Sequence, residues 1–376
     1  MKQKWLTLLS LIFFLCATAC GSRQPTTPTA RHTEGIATVE NRVATPTPSA
    51  QVTQETPAAT MPEQVYTSAN MEYVGRIEGA SLAVDIQEDI LYLGIGQRLA
   101  LLDISNPAMP LIIGKTQTFA GIVVDFVISG GLAYVADDEA GLRIVDVTDP
   151  TNPAFAGYYS IPRIALHDEV NSLKYDNVAS VAVDQEHAYV AEYQFGLRVV
   201  NIADPSNPVE VGFYDTPGDA HGVAVAGDTA YVADFDHGVR VVNIADPARP
   251  VERGHCDTPG EAQSLAVAGD YVYVAGGSAG MLVVNIADPS HPVLVGSFHT
   301  HGYTQSLTIK DGYAYIADGS AGLVVVNIAD PAHPQFAGAY DTPGYAWGAA
   351  IAEEYVYVAD ANYGLIILRF TGGAEQ

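Results

Sequence analysis

Tryptophan is almost absent from this 376-residue chain: Trp5 lies near the start, which leaves Trp347 alone in everything after residue 20. That excludes repeat architectures in which every unit docks on a tryptophan. Cysteine is equally scarce. Of three, Cys16 and Cys20 sit in an apolar leader and Cys256 is alone in a strand-like run, so no disulfide framework can form. Cys256 reads as a small buried apolar residue rather than a reactive thiol. Lysine is rare too, with five in the chain, and the formal net charge is −26 at pH 7. A field of that sign excludes nucleic acid and anionic lipid surfaces as partners, and leaves solubility of an exported domain, divalent cations or basic partners as its meaning. Nucleophile turns of the Gly-x-Ser-x-Gly kind, His-Glu-x-x-His helices and phosphate loops are missing as well.

What is present is a strict period. Tyr92, Tyr134, Tyr189, Tyr231, Tyr273, Tyr315 and Tyr357 recur at intervals of 42, 55, 42, 42, 42 and 42 residues, each within a short run such as AYVAD. Every period holds four Val-rich or alternating runs bounded by Gly, Asp or Pro, which reads as four strands, a to d in chain order. The a–b link is a short polar hairpin, as at Ala226-Gly227-Asp228, and the c–d link is a proline-bounded turn, as at 246–250. A period in the forties built of four strands is the mark of a β-propeller. The ends support a closed ring: residues 72–78 match a strand d, whereas the chain finishes with strands a, b and c. Six full units and one shared between the termini predict an all-β, seven-bladed propeller over 69–371, with the N-terminal strand joining the last three and leaving no open edge. One monomeric ring is the expected assembly.

Ahead of the repeats, residues 1–19 carry two early lysines, an apolar core too short for a comfortable membrane span, and small residues leading to Cys20. This resembles a bacterial lipoprotein signal, with Ala17-Thr18-Ala19-Cys20 as the cleavage box and Cys20 as the lipidated residue. Such boxes usually have Leu where Ala17 stands, and a simple secretory signal is the alternative. Residues 20–68 are rich in Thr, Pro, Ala and Gln and poor in aromatics, a composition that cannot bury enough surface to fold. They read as a tether between a membrane anchor and the ring.

The c strands and following turns, among them LLDISNPAMP at 101–110, VVNIADPSNP at 199–208 and VVNIADPAHP at 325–334, resemble the LVIVD repeat of bacterial and archaeal surface proteins. The resemblance implies a propeller on an exported or surface-anchored protein and brings no catalytic motif with it.

Propeller geometry puts the d–a and b–c connections around one mouth of the central channel, and four features fall there. Asp137, Glu192, Asp234, Asp318 and Asp360 follow strand b, with Gly276 and Ile95 breaking the series; they read as acceptors for b–c turn amides or as an annulus of oxygen ligands for Ca²⁺. At the start of strand a, Leu82, Val124 and Ala179 give way to His221, Gln263, Gln305 and Trp347. That asymmetry suits a polar or sugar-like ligand on one side of the mouth. His299 and His301 replace the Asp and Pro of a DTPG turn and, with His221 or His237, offer nitrogens for Zn²⁺. Finally, the 13-residue excess of the 55-residue interval lengthens a d–a connection over residues 161–176, which bring Arg163, His167, Asp168, Glu169 and Lys174 to the same face.

The leading functional expectation is a non-enzymatic, membrane-anchored module that binds a protein, peptide or glycan of the cell envelope and requires no cofactor. The alternative is a metal-assisted hydrolase or lyase acting on a polymer at the mouth.

Overall fold

Alternation with period two lets every strand present one side chain to each neighbouring blade, and the burial pattern follows the distance from the ring axis. Strand b of blade four, Thr229–Ala233, is buried along its whole length, whereas strand d of the preceding blade, Val209–Tyr214, exposes alternate residues. The computed structural model describes residues 68–160 and 177–372. They form seven antiparallel sheets around a ring, as the period predicts. Blade one consists of Ser81–Gln87, Ile90–Ile95, Arg98–Asp103 and Leu111–Lys115 as strands a to d. Blades two to six repeat that order, and strands a of successive blades adjoin one another in a closed circuit.

The hydrophobic cores lie between blades, not within them. Tyr231, Val239 and Val241 of blade four pack with Ala262, Leu265, Val272 and Val274 of blade five. Leu91 and Leu93 of blade one pack with Tyr357, Leu365 and Ile367 of blade seven, so the two chain ends share a core. The periodic tyrosines are all buried in these layers. Cys256 is a free, buried thiol in the same setting.

The seam forms as the terminal phase of the repeat requires. Met71–Ile77 pairs antiparallel with Gly364–Phe370, from Met71 opposite Phe370 to Ile77 opposite Leu365. An additional strand, Ser68–Ala69, pairs with Tyr340 and Ala339 and so extends blade six to five strands. Asn70, at φ 55°, lets the chain step from blade six to blade seven; its side-chain amide donates to Ala337 O at 2.6 Å.

Two devices lock neighbouring blades. In strand d a bulge brings one glycine under the proline-bounded turn of the next blade: a Cβ on Gly212 would lie 2.2 Å from Pro247 O. At the channel, the unpaired inner edge of strand a receives side chains from the preceding blade. Ser306 Oγ donates to Trp347 O at 2.6 Å, Thr308 Oγ1 to Ala349 O at 2.7 Å and Lys310 Nζ to Ile351 O at 3.1 Å. Asp125 does the same as an acceptor, taking Val181 N at 3.1 Å. Burial in that wall pushes the Asp125 carboxyl up to about 6, aided by nearby Asp85 and opposed by hydrogen bonds from Ser180, Val181 and Phe126.

A folded-state pKa above the ordinary 3.8 means that the native ring holds the Asp125 proton more tightly than the unfolded chain does. The stability so contributed is complete below about pH 4 and is lost as pH rises through about 6. Asp125→Asn, which keeps an acceptor but cannot ionise, is therefore expected to melt with the parent near pH 4 and roughly 5 °C above it near pH 7.5. Thermal melts across that window check the sign, and a constant or reversed difference contradicts the assignment. For the seam, removal of residues 68–78 is expected to lower the melting midpoint by at least about 10 °C and to produce oligomers on a sizing column. A monomer of unchanged midpoint would show that the ring does not depend on it.

Candidate functional site

The b–c turns of blades three to six each meet the start of strand a in the next blade through a backbone bridge: Tyr193 with Ala220, Phe235 with Ala262, Gly277 with Thr304 and Gly319 with Ala346. These bridges fix the rim from which the candidate residues project. Asp137, Glu192, Asp234, Asp318 and Asp360 are fully buried beneath it. Their hydrogen bonds differ from the sequence expectation. Asp360 does accept from the b–c amides of Asn362 and Tyr363, both at 3.0 Å. The recurrent donor, however, is the d–a turn sixteen residues upstream: Gly121 N to Asp137 Oδ1 at 2.9 Å, Gly218 N to Asp234 Oδ2 at 3.1 Å, Gly302 N to Asp318 Oδ2 at 2.8 Å and Gly344 N to Asp360 Oδ2 at 3.0 Å. Only a residue without a side chain permits that approach, because a Cβ on Gly302 would lie 2.0 Å from Asp318 O.

Three of the acids also hold an arginine from strand c of their own blade. Arg143 pairs with Asp137, Arg198 Nε lies 3.2 Å from Glu192 Oε2 and Arg240 Nε 3.1 Å from Asp234 Oδ2. In blade five both members are gone together, replaced by Gly276 and Leu282. The break at Gly276 thus coincides with loss of the arginine that three other blades pair with their acid. The signal was present in the sequence as an acid and an arginine six residues apart, three times over. Blade six keeps the acid but has Val324 in place of the arginine, and there Thr300 Oγ1 and Thr304 Oγ1 donate to Asp318 Oδ1 at 2.7 and 3.2 Å. Burial raises the Asp318 carboxyl, and these bonds oppose the rise.

His221, Gln263, Gln305 and Trp347 do fall along one arc of the rim, and the structure adds the groups that join them. The ring of His221 lies between Phe235, stacked at 4.8 Å, and Tyr193, edge-on at 4.8 Å. Burial there pushes the imidazolium below its usual range, which favours the neutral ring at pH 7. His221 Nδ1 lies 3.0 Å from Gln263 Oε1, Gln263 Nε2 donates to the Tyr303 hydroxyl at 2.8 Å, and Tyr303 donates to Glu261 Oε2 at 2.7 Å. Burial and the Glu261 bond raise the Tyr303 hydroxyl, keeping it a donor. Gln305 Nε2 donates to the Tyr345 hydroxyl at 2.9 Å, and the Tyr345 ring lies 5.7 Å from that of Trp347, which is 38 % exposed. Tyr303 and Tyr345 were missed by sequence reasoning. Their signal is complementary: Gly277 and Gly319 stand where blades three and four have Tyr193 and Phe235, and a Cβ on either glycine would meet the next blade's tyrosine ring within 3 Å.

The histidines are not brought together. His299 and His301 are exposed beside a cleft between blades five and six, His221 is in the arc, and His237 sits beside Asp236 with Nδ1 2.6 Å from Oδ1. Among the described residues, no three His, Cys, Asp or Glu side chains gather in a way that holds a metal ion. Arg163, His167, Asp168, Glu169, Lys174, Cys20, the signal and the tether up to residue 67 lie outside the described residues.

The arginine pairs carry a direct test. Arg240→Leu strands the buried Asp234 and is expected to cost about 3 kcal/mol, whereas Asp234→Gly with Arg240→Leu reproduces blade five and is expected to cost less than the single change. Urea unfolding of both variants measures it. A double variant weaker than the single one would contradict the pairing.

No curated protein matches the chain. Among solved structures it is similar in fold to the computationally designed Ika8 protein, with a TM-score of 0.57 at 8 % identity, covering 79 % of this chain and 98 % of that one. The LVIVD repeat is matched by seven successive stretches, 78–118, 120–160, 177–216, 217–258, 259–300, 301–342 and 343–368. These stretches coincide with the seven blades and take in most of the sequence. The chain therefore belongs to the LVIVD repeat family.

Proposed function

We propose that this propeller is a non-enzymatic binding module, exported and anchored through Cys20, which receives a protein, peptide or glycan of the cell envelope at the mouth of blades four to seven. The observation that carries the reading is the arc from Tyr193 to Trp347. Its side chains are held in place by one another, which lowers the entropic cost of meeting a ligand. Its polar capacity is not used up: His221 Nε2 and Gln305 Oε1 have no hydrogen-bond partner among the described residues, and the Trp347 indole is partly open to solvent. A fixed arrangement of unused acceptors beside an accessible aromatic face is what recognition of hydroxyls or amides requires. The apolar residues Leu82, Val124 and Ala179 leave the opposite side of the mouth without such groups. The segment 161–176 is proposed to add contacts on the same face.

With Trp5 replaced by Phe, Trp347 is the sole indole and its emission reports occupancy of the mouth. Titration with solubilised envelope polysaccharide, peptidoglycan fragments and envelope peptides is expected to shift that emission saturably for one class. Gln305→Ala should weaken the binding by about tenfold with little change in melting midpoint. Emission unmoved by every class, or affinity unchanged in Gln305→Ala and in a His221→Ala variant, would remove the basis of the reading.

A further inference from the structure

The repeat supplies an internal comparison that points to a second site. In blade three, Arg198 is nearly enclosed: Glu192 Oε2 lies 3.2 Å from its Nε, Glu210 and Asp215 lie within 4 Å of its guanidinium nitrogens, and the Phe213 and Phe195 rings flank it at 4.8 and 5.6 Å. Blade six has Val324 where that arginine stands, Ala339 for Phe213 and Ala321 for Phe195. Each replacement removes volume. At that place, between blades five and six, the structure has an open cleft of about 540 Å³, walled on its outer side by Ser68 and Ala69.

The chemistry that held the arginine is only partly removed. Asp318 and Asp341 occupy the positions of Glu192 and Asp215, and both border the cleft. Phe336, in the position of Glu210, adds an aromatic wall that is 54 % exposed, and Phe298 lies on the blade-five side. Asp341 is accessible to solvent, whereas the Asp318 carboxyl is fully covered beneath the floor. A charged head able to lie on an aromatic ring beside a carboxylate, on a stem that covers Val324, Ala321 and Ala339, describes arginine better than lysine.

We propose that the cleft between blades five and six is a docking site for an arginine side chain of a basic partner peptide, seated where blades two to four hold an arginine of their own. The excess of acidic over basic residues, which gives the chain its net charge of −26, favours the approach of such a peptide. The site is separate from the arc at the mouth, so loss of one leaves the other intact.

Fluorescence anisotropy of the full chain with labelled Gly-Ala-Arg-Ala-Gly, against the same peptide carrying citrulline for arginine, tests the assignment at physiological salt. The arginine peptide is expected to bind at least about tenfold more tightly than its citrulline counterpart. Val324→Arg, which rebuilds the internal arginine and fills the cleft, should abolish that binding. The milder Asp341→Asn should weaken it several-fold with the fold intact, and Gln305→Ala at the mouth should leave it unchanged. Equal affinity for the two peptides, no binding by the parent chain, or full binding by a folded Val324→Arg variant each overturns the proposal. Weakening by Asp270→Asn, at an exposed acid in the a–b hairpin of blade five outside the cleft, equal to that by Asp341→Asn would also overturn it, as diffuse attraction to an acidic surface.

Discussion

Face-to-face packing between blades is the interaction on which everything else in this molecule depends. A single four-stranded blade has two apolar faces and cannot cover either alone, so each is stable only between two others, and the series is satisfied only when it closes. Closure in turn needs a strand from the beginning of the repeat domain to lie beside strands from its end. The pairing of Met71–Ile77 with Gly364–Phe370 is thus the condition under which blades one and seven bury Leu91, Leu93, Tyr357 and Leu365.

The same geometry divides the labour among the strands. Inner strands are buried on both sides and are held to period-two Val, Ala and Tyr patterns, while the outer strand d tolerates exposed Val and Phe. Connections over the mouth bear no such load beyond their bridging hydrogen bonds, which is why variation between blades collects there. Variation on this face is not arbitrary. Acid and arginine leave blade five together, and glycine replaces an aromatic where the next blade inserts a tyrosine. Such paired changes keep buried charge and volume balanced, and at Val324, where the arginine is absent and Asp318 stays, the structure has an open cleft.

Much of this was legible beforehand. The tyrosine period gave the number of blades, the phase at the two ends gave the seam, and the alternation of each run gave the strands, because all three are local or periodic properties. The column from His221 to Trp347 was also visible as a departure from uniformity. Its meaning was not, since Tyr303 and Tyr345 reach Gln263 and Gln305 from the following blade, some forty residues along the chain. The acids after strand b were legible as turn acceptors, but the direction of their bonds was not. A sequence shows that glycine recurs at 218, 302 and 344; it does not show that the bare backbone there leans onto a carboxylate.

Repetition and alternation are written in one dimension, and from them alone the chain determined its blade count, its strand order and the joining of its ends. Which side chains meet across blades was decided only by the tertiary ring, because the contact between two units depends on the angle and rise between sheets as well as on the residues at matching positions. Hence the arc at the mouth required both kinds of information: its residue types came from the repeat, and its connected hydrogen bonds came from the closure that set one blade against the next.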